Sequence, residues 1–316
     1  MAAANANMVV IIGPTAIGKS KLAIKISEQF FGEIINTDSR QVYRYMDIGT
    51  AKPSISDQTR VPHHMIDMNL PDNNFSLGEF IKLANEMVEQ VSVRGNLPII
   101  CGGTGQYIWG IVEGWDVPNT LPNQKFRDVK LKEAKEQGVE FLHDQLAVID
   151  PKRASEIDPR NVRRVIRALE IIKETGFKPS QFAKQRHTEF NPLIIGLTTS
   201  RPDLYRMIDL RVDHMMQTGF LEEVKELTIK GYKMGVGSLA SPGYRELGQY
   251  LEGTCSLEEA ISKTKFQTHR LARRQYTWFK SEDTRINWLD INKVDVYQQA
   301  STLIKDYLSQ TSSMVQ

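Results

Sequence analysis

The sequence predicts an α/β fold: a doubly wound parallel sheet carrying an all-helical insertion. Three observations carry this. Short apolar runs bounded by turn residues alternate with stretches of helical spacing, the pattern of parallel strands joined by crossover helices. A glycine-rich turn follows the first apolar run and opens directly into a helix. Between residues 119 and 189 the apolar spacing is helical and no convincing strand occurs.

Taken in order, residues 9–12 read as a short buried strand. Beyond the turn, "KSKLAIKISEQF" places Leu22, Ile26 and Phe30 at helical spacing. "GEIINTDS" reads as a second strand ending at Asp38, residues 80–93 as a helix, and "LPIICGGT" as a third strand ending in Gly102 and Gly103. The pattern changes near Pro118, and "NPLIIGLTTS" returns to a strand. The remainder is mostly helical, over 202–230, 257–280 and 294–308. The expected organisation is a discontinuous core, residues 1–118 and 190–316, around a helical insertion at 119–189.

The bulk numbers exclude several classes. A chain of 316 residues with a net charge of +2 is no polycation, so any nucleic-acid surface must come from local clustering. Its two cysteines, Cys101 and Cys255, lie far apart without metal spacing, which favours a reducing compartment over a disulfide framework. The N-terminus lacks the basic flank of a signal peptide, and no apolar run is long enough to span a membrane.

"GPTAIGKS" matches G-x(4)-G-K-[ST] and has the required context of strand before and helix after. It makes the expected core similar to that of P-loop NTPases. The backbone N–H groups of Gly13, Pro14, Thr15, Ala16, Ile17, Gly18, Lys19 and Ser20 (proline excepted) and the helix N-terminus point at an anion. Lys19 adds a point charge and Ser20 a hydroxyl for Mg²⁺. The motif does not say whose phosphate is held. A small-molecule kinase is the default owner, yet the third strand ends "IICGGT" without an acidic metal ligand.

Asp38 falls at the carboxyl end of a strand beside this loop, where ligands of open α/β sheets bind. On spacing alone two readings stand: a general base, or a capping box with Gln41 three residues on. Arg211 interrupts the apolar stripe of Leu204, Ile208, Val212 and Met215. It is either an arginine snorkelling at the stripe's edge or an inward guanidinium meeting an anion. Residues 262–281 hold Lys263, Lys265, Arg270, Arg273, Arg274 and Lys280 with no acid until past Ser281, interleaved with Phe266, Tyr276, Trp278 and Phe279. Residues 161–175 put Val162, Val165, Ile166 and Leu169 on one face and Arg163, Arg164 and Arg167 on the other. Each basic run alone is a solvated face; two beside a phosphate loop favour nucleic-acid backbone binding. His63 and His64 tempt a metal reading but are adjacent, and a structural role is the simpler one.

The stretches "GPTAIGKS", "NTDSRQVYRYMDIGTAKP", "PHHMID", "PIICGGTGQY", "DPRNVRRVIRALEI", "SPGYRE" and "HRLARRQYTWF", in that order over about residues 9–290, resemble the tRNA dimethylallyltransferase (tRNA isopentenyltransferase) family. The likeness is to its bacterial type without a C-terminal zinc finger, since no Cys or His follows Trp288. It implies that the loop holds the diphosphate of dimethylallyl diphosphate, with Mg²⁺, and that the prenyl group moves to N6 of adenosine 37 in the tRNA anticodon stem-loop. It implies Asp38 as the base, with Thr15, Lys19 and Arg211 on the diphosphate. It implies tRNA contacts from Asp38, Ser39, Arg40 and Gln41, from Thr104 beside Gly102 and Gly103, and from Arg163, Arg164, Val165, Ile166 and Arg167. Residues 240–245, including Gly243, Tyr244 and Arg245, and residues 273–280, including Arg273, Arg274 and Lys280, belong to the same surface, with Arg127 aligning more loosely. A monomer working in the cytoplasm, with no membrane partner, is expected. The alternatives are an adenylate isopentenyltransferase acting on free nucleotide, a small-molecule P-loop kinase and a non-catalytic P-loop RNA-binding module.

Overall fold

The computed structural model describes residues 6–117, 122–181 and 190–313. In chain order the elements are β1 (Ala6–Ile12), α1 (Lys19–Phe30), β2 (Gly32–Asn36), α2 (Ile55–Arg60), β3 (His63–His64), α3 (Leu77–Val93), β4 (Leu97–Cys101) and α4 (Gly105–Val112). Then come α5 (Gln124–Gln137), α6 (Val139–Ile149), α7 (Pro151–Ser155) and α8 (Val162–Thr175). The chain continues through β5 (Phe190–Thr198), α9 (Arg201–Gln217), α10 (Phe220–Ile229), α11 (Tyr244–Leu251), α12 (Leu257–Trp278), β6 (Ile286–Asp290) and α13 (Val296–Ser313).

The six strands form one sheet in the order β3-β2-β4-β1-β5-β6, and every pairing is parallel. β1 lies at its centre, with Ile11 in register with Cys101 of β4 and with Ile195 of β5. That position explains why its apolar run does not alternate: both faces of a central parallel strand are covered. Val9, Ile11, Ile34, Ile99 and Ile195 share a core with Leu22 and Ile26 of α1, Leu204 and Ile208 of α9, and Ile304 of α13. A second core gathers Met46, Phe220, Val224, Tyr244 and Leu247.

By internal contacts the chain falls into two compact units: Met1–Phe75, Ile81–Val112 and Thr188–Gln316 in one, and Ser76–Phe80 and Glu113–His187 in the other. The second unit packs α5 to α8 around Leu142, Leu146, Val165 and Leu169. The boundaries expected at residues 118–119 and 189 lie outside the described residues.

Several elements differ from the sequence reading. The second strand stops at Asn36 rather than Asp38, because the Asn36 side chain folds forward: its Oδ1 accepts from Asp38 N (3.1 Å) and its Nδ2 donates to Met65 O (3.1 Å). The expected helix over 202–230 is two helices, broken where Gly219 adopts φ 105° at the N-terminus of α10. α2, β3, α4, α11 and β6 were not foreseen; β3 has two residues, and β6 alternates only weakly. His63 and His64 are β3 itself. His64 Nε2 lies 2.6 Å from Glu33 Oε2 and His63 Nδ1 2.8 Å from Val61 O, so both rings are used structurally. Burial pushes the His63 imidazole below its ordinary pKa, which keeps it neutral.

Candidate active site

The carboxyl ends of β1, β2 and β4 converge, and the three segments that follow them build the site. After β1, the loop of residues 13–18 turns back on itself. Ala16 and Gly18 have φ of 68° and 96°, and Gly18 leads into α1 with no side-chain cap. The first-turn N–H groups of α1 are thus left to an anion. Gly13 has φ 144°, and a Cβ there would lie 2.7 Å from Leu197 O, so the turn requires glycine. Lys19 Nζ donates to Pro14 O across the loop (2.7 Å). Burial lowers its pKa from 10.5 to about 8; Cys101 and Asp38 oppose that shift and the Arg211 cation adds to it. Cys101 lines the same cavity, and its thiol is pushed up to about 11 by burial, so it stays neutral.

After β2, no helix follows Asp38. Its Oδ1 accepts from Arg40 N (2.8 Å) in a local turn, so the capping box with Gln41 does not form. Gln41 turns inward instead and donates to Thr50 O (3.0 Å) and Ala51 O (3.1 Å). After β4, Thr104 Oγ1 accepts from Ser39 N (3.1 Å), which ties this turn to the Asp38 turn.

Arg211 projects from α9 into the same space. Its Nη1 donates to Thr15 Oγ1 (3.2 Å) and its Nη2 to Thr50 O (3.5 Å, a long contact). Burial lowers its pKa, the nearby Asp38 carboxylate partly opposes this, and a guanidinium stays charged throughout. The inward guanidinium, not the snorkelling one, is what the chain builds.

Two cavities meet here. The larger, about 910 Å³, is lined by Thr15, Lys19, Ser20, Asp38 and Arg211. The smaller, about 410 Å³, is lined by Asp38, Ser39, Arg40, Thr104, Arg211, Arg245 and Arg274. Thr15, Asp38, Gly103, Arg211 and Gln275 belong to both walls. A carboxylate and a guanidinium therefore stand between a phosphate-type loop and a second chamber rimmed with arginines.

The other expected contacts divide by place. Arg163 and Arg164 are exposed on α8, while Val165 and Ile166 are buried in the core of their unit. Arg127 and Arg167 both bind the fully buried Glu170, Arg127 in a fork of 2.8 and 2.8 Å and Arg167 at 2.6 Å. Arg273 donates to Tyr205 OH (3.0 Å), and Lys280 is exposed just past α12. Gly243 N donates to Glu246 Oε2 (2.8 Å), and Tyr244 is a core residue whose hydroxyl donates to Glu223 Oε1 (2.6 Å).

Sequence reasoning missed three residues that hold the site. Glu223 accepts from Ile48 N (2.6 Å), Asp47 N (2.9 Å) and Gly49 N (3.1 Å), fixing the segment that brings Thr50 to Arg211. In the sequence it is one acid among several opening a helix, where acids are common. Lys52, its side chain 4% exposed, binds Asp47, Asp67 (2.6 Å) and Tyr43 O (3.0 Å). Gln275 is the third: it accepts from Thr15 N (2.8 Å) and donates to Gly103 O (3.0 Å). Among the described residues no helix is long and apolar enough to cross a membrane, and no three His, Cys, Asp or Glu side chains cluster to hold a metal.

Residues 41–282 match the model of the family described as IPP transferase. The tRNA dimethylallyltransferase of Roseiflexus sp. (strain RS-1) is 42% identical over 301 residues, covering 95% of this chain and 98% of that protein. That of Bacillus cytotoxicus is 44% identical over 286 residues, covering 90% of each. Among solved structures, the tRNA isopentenylpyrophosphate transferase of Bacillus halodurans superposes with a TM-score of 0.72 at 38% identity, over 98% of this chain and 99% of that one. A eukaryotic dimethylallyltransferase acting on tRNA gives 0.81 at 27% identity, over 96% and 80%. With a family match across most of its length and relatives of this likeness, the chain belongs to the IPP transferase family.

Proposed function

We propose that this protein transfers the dimethylallyl group of dimethylallyl diphosphate to N6 of adenosine 37 in tRNA, releasing diphosphate. The observation that carries the reading is the meeting of the two cavities at Asp38, Thr15 and Arg211. A diphosphate seated in the larger cavity would turn the ester oxygen that carries the prenyl group toward the junction, and a base entering the smaller one would present its exocyclic amine there.

The chemistry follows from the groups present. The N6 lone pair is delocalised into the purine, so the amine is a poor nucleophile. It attacks the first carbon of the dimethylallyl group, the carbon–oxygen bond to diphosphate breaks, and Asp38 takes the proton that N6 releases. Negative charge gathers on the departing diphosphate. The amides of the loop, the Lys19 ammonium, the Thr15 hydroxyl and the Arg211 guanidinium stabilise it. Magnesium supplies further neutralisation of that diphosphate when bound. The residues fit it: Ser20 presents a hydroxyl to the cavity, and a magnesium shell is ordinarily completed by substrate phosphate oxygens and water rather than by a protein cage.

The acceptor base must leave its stack to reach Asp38. Arg40, Arg245 and Arg274 around the smaller cavity suit the phosphates of an unpaired loop. Arg163 and Arg164, exposed on the helical insertion at 119–189, suit phosphates of the tRNA backbone, with the core formed by 1–118 and 190–316. Cytoplasmic action as a monomer completes the reading.

The test is incubation of labelled dimethylallyl diphosphate and Mg²⁺ with unmodified tRNA, with AMP, or with buffer, each with and without ATP. Label is expected in tRNA alone and independently of ATP. Label in AMP, or product formation coupled to ATP hydrolysis, would overturn the reading.

A further inference from the structure

We propose that Gln275 is a positioning residue that sets the donor loop and the acceptor turn in register. The inference rests on the transfer reaction above. Gln275 lies in α12, a residue only 8% exposed, between the loop after β1 and the turn after β4. Its carboxamide uses both ends. Oε1 accepts from Thr15 N at 2.8 Å, and Nε2 donates to Gly103 O at 3.0 Å. The partners fix which end is which, since a backbone N–H can only donate and a carbonyl can only accept. The planar carboxamide supplies the neutral acceptor and the neutral donor that these two partners need.

The local backbone is shaped around this amide. A Cβ at Gly103 would lie 2.2 Å from Gln275 Nε2, so the amide reaches its place only past a glycine. Each bond then leads on to a group of the site. On the donor side, the same Thr15 whose N–H is held presents its hydroxyl to Arg211 (3.2 Å). On the acceptor side, Gly103 precedes Thr104, whose hydroxyl accepts from Ser39 N (3.1 Å) next to Asp38. One carboxamide thus ties the diphosphate-facing pair, Thr15 and Arg211, to the base-bearing turn. The Thr15 N–H is also spent on Gln275, so it is not one of the amides that bind the donor.

The consequence is a defect in alignment rather than in binding. Lys19, the α1 N-terminus and Arg211 remain to hold the donor when Gln275 is replaced, but the carbon under attack and the carboxylate lose their mutual register. Small misplacements of this kind are costly to the chemical step. Gln275→Met keeps the length and the buried stem while removing both bonds. Gln275→Asn keeps the amide but is too short to span both partners.

Steady-state prenylation of tRNA, donor KM, tRNA Kd by filter binding and thermal melting are measured for wild type, both variants, Thr15→Ala and the Thr15→Ala/Gln275→Met pair. Both variants are expected to lose about tenfold or more in kcat, with donor KM and tRNA Kd near wild type. The paired variant is expected to lose less than the product of the single losses, because Gln275 acts through Thr15. Wild-type kcat in either variant, a loss confined to tRNA affinity or melting temperature, or fully multiplicative losses would overturn the proposal. A wild-type protein that leaves tRNA unlabelled sinks the transfer reaction itself, whereas an active wild type beside unimpaired variants sinks only the role of Gln275.

Discussion

Arg211 of α9 and Thr15 of the loop after β1 are 196 residues apart in sequence and joined by a hydrogen bond of 3.2 Å at the junction of two cavities. The bond sets a fixed cation beside a loop shaped for an anion. Among the described residues no carboxylate is hydrogen-bonded to the guanidinium, whose other partner is the Thr50 carbonyl at 3.5 Å. A half-buried cation satisfied only by a hydroxyl and a carbonyl is poised for an anionic ligand.

Arg211→Gln is therefore expected to raise the donor KM and lower kcat together, because charge on the leaving diphosphate grows in the transition state. Arg211→Lys should recover only part, since an ammonium cannot fork onto two oxygens. Arg211→Leu should melt at or above the wild-type temperature while being inactive. A large fall in melting temperature would mean that the arginine serves the fold instead.

Lys19 gives a pH signature. Its folded pKa of about 8 lies below the ordinary lysine value of 10.5, so above pH 8 the unfolded chain binds more protons than the folded one. The sign of linkage then makes stability rise with pH. The window to use is pH 8 to 9, because above that the Cys101 thiol, raised from 9.0 to about 11, contributes the opposite slope and cancels the trend. Urea denaturation in this window should show the rise in wild type and lose it in Lys19→Met. A diphosphate favours the ammonium, so donor binding near pH 8.5 should take up protons, seen as a buffer-dependent heat in calorimetry.

Arg127 and Arg164 should separate fold from RNA binding. Burial would raise the Glu170 pKa, but the fork from Arg127, the Arg167 bond and the Asn123 N–H hold it at about 2. Glu170 thus contributes stability above pH 4.5 that is lost as pH falls toward 2. Arg127→Ala should destabilise by about 3 kcal/mol by stripping a buried carboxylate of its main partner. Arg164→Ala, from an exposed site, should leave melting unchanged and reduce the salt dependence of tRNA binding by about 0.9 per lost phosphate contact. Equal tRNA affinity in wild type and Arg164→Ala would make α8 a merely solvated face.

Glu223→Ala removes the acceptor of three consecutive backbone N–H groups and of the buried Tyr244 hydroxyl. Charged-acceptor bonds of this kind contribute about 1.5–3 kcal/mol each. Chemical denaturation should show a loss of about 3 kcal/mol or more, and donor KM should rise as Thr50 loses its support. Unchanged stability would mean that the segment is held by other means.

What the sequence displayed was the part of the site built by local chain. The loop of residues 13–20 reads as an anion grip because glycine spacing, lysine and the flanking strand and helix are contiguous. Arg211 betrayed itself by breaking an apolar stripe at helical spacing. Gln275 and Glu223 gave no such sign, because each holds backbone groups 172 residues or more away in the chain, and Lys52 none, because its partners lie 5 to 15 residues off in irregular chain. Strand β3 escaped for another reason: two residues give no periodicity, and β3 exists because β2 offers an edge. The end of β2 was misplaced by two residues, since the Asn36 side chain closes the turn with bonds that mimic backbone ones.

The central claim is that Asp38 takes the N6 proton at the junction of the two cavities, and Asp38→Asn tests it most directly. Asparagine can keep the turn bond from Arg40 N (2.8 Å) and nearly the same shape, but it accepts no proton. A single-turnover measurement with saturating donor and tRNA reports the chemical step alone. The account predicts a rate lower by about 10²–10⁴-fold, with donor and tRNA affinities and melting temperature close to wild type. Wild-type turnover in Asp38→Asn would contradict it, leaving Asp38 a turn residue and the base elsewhere.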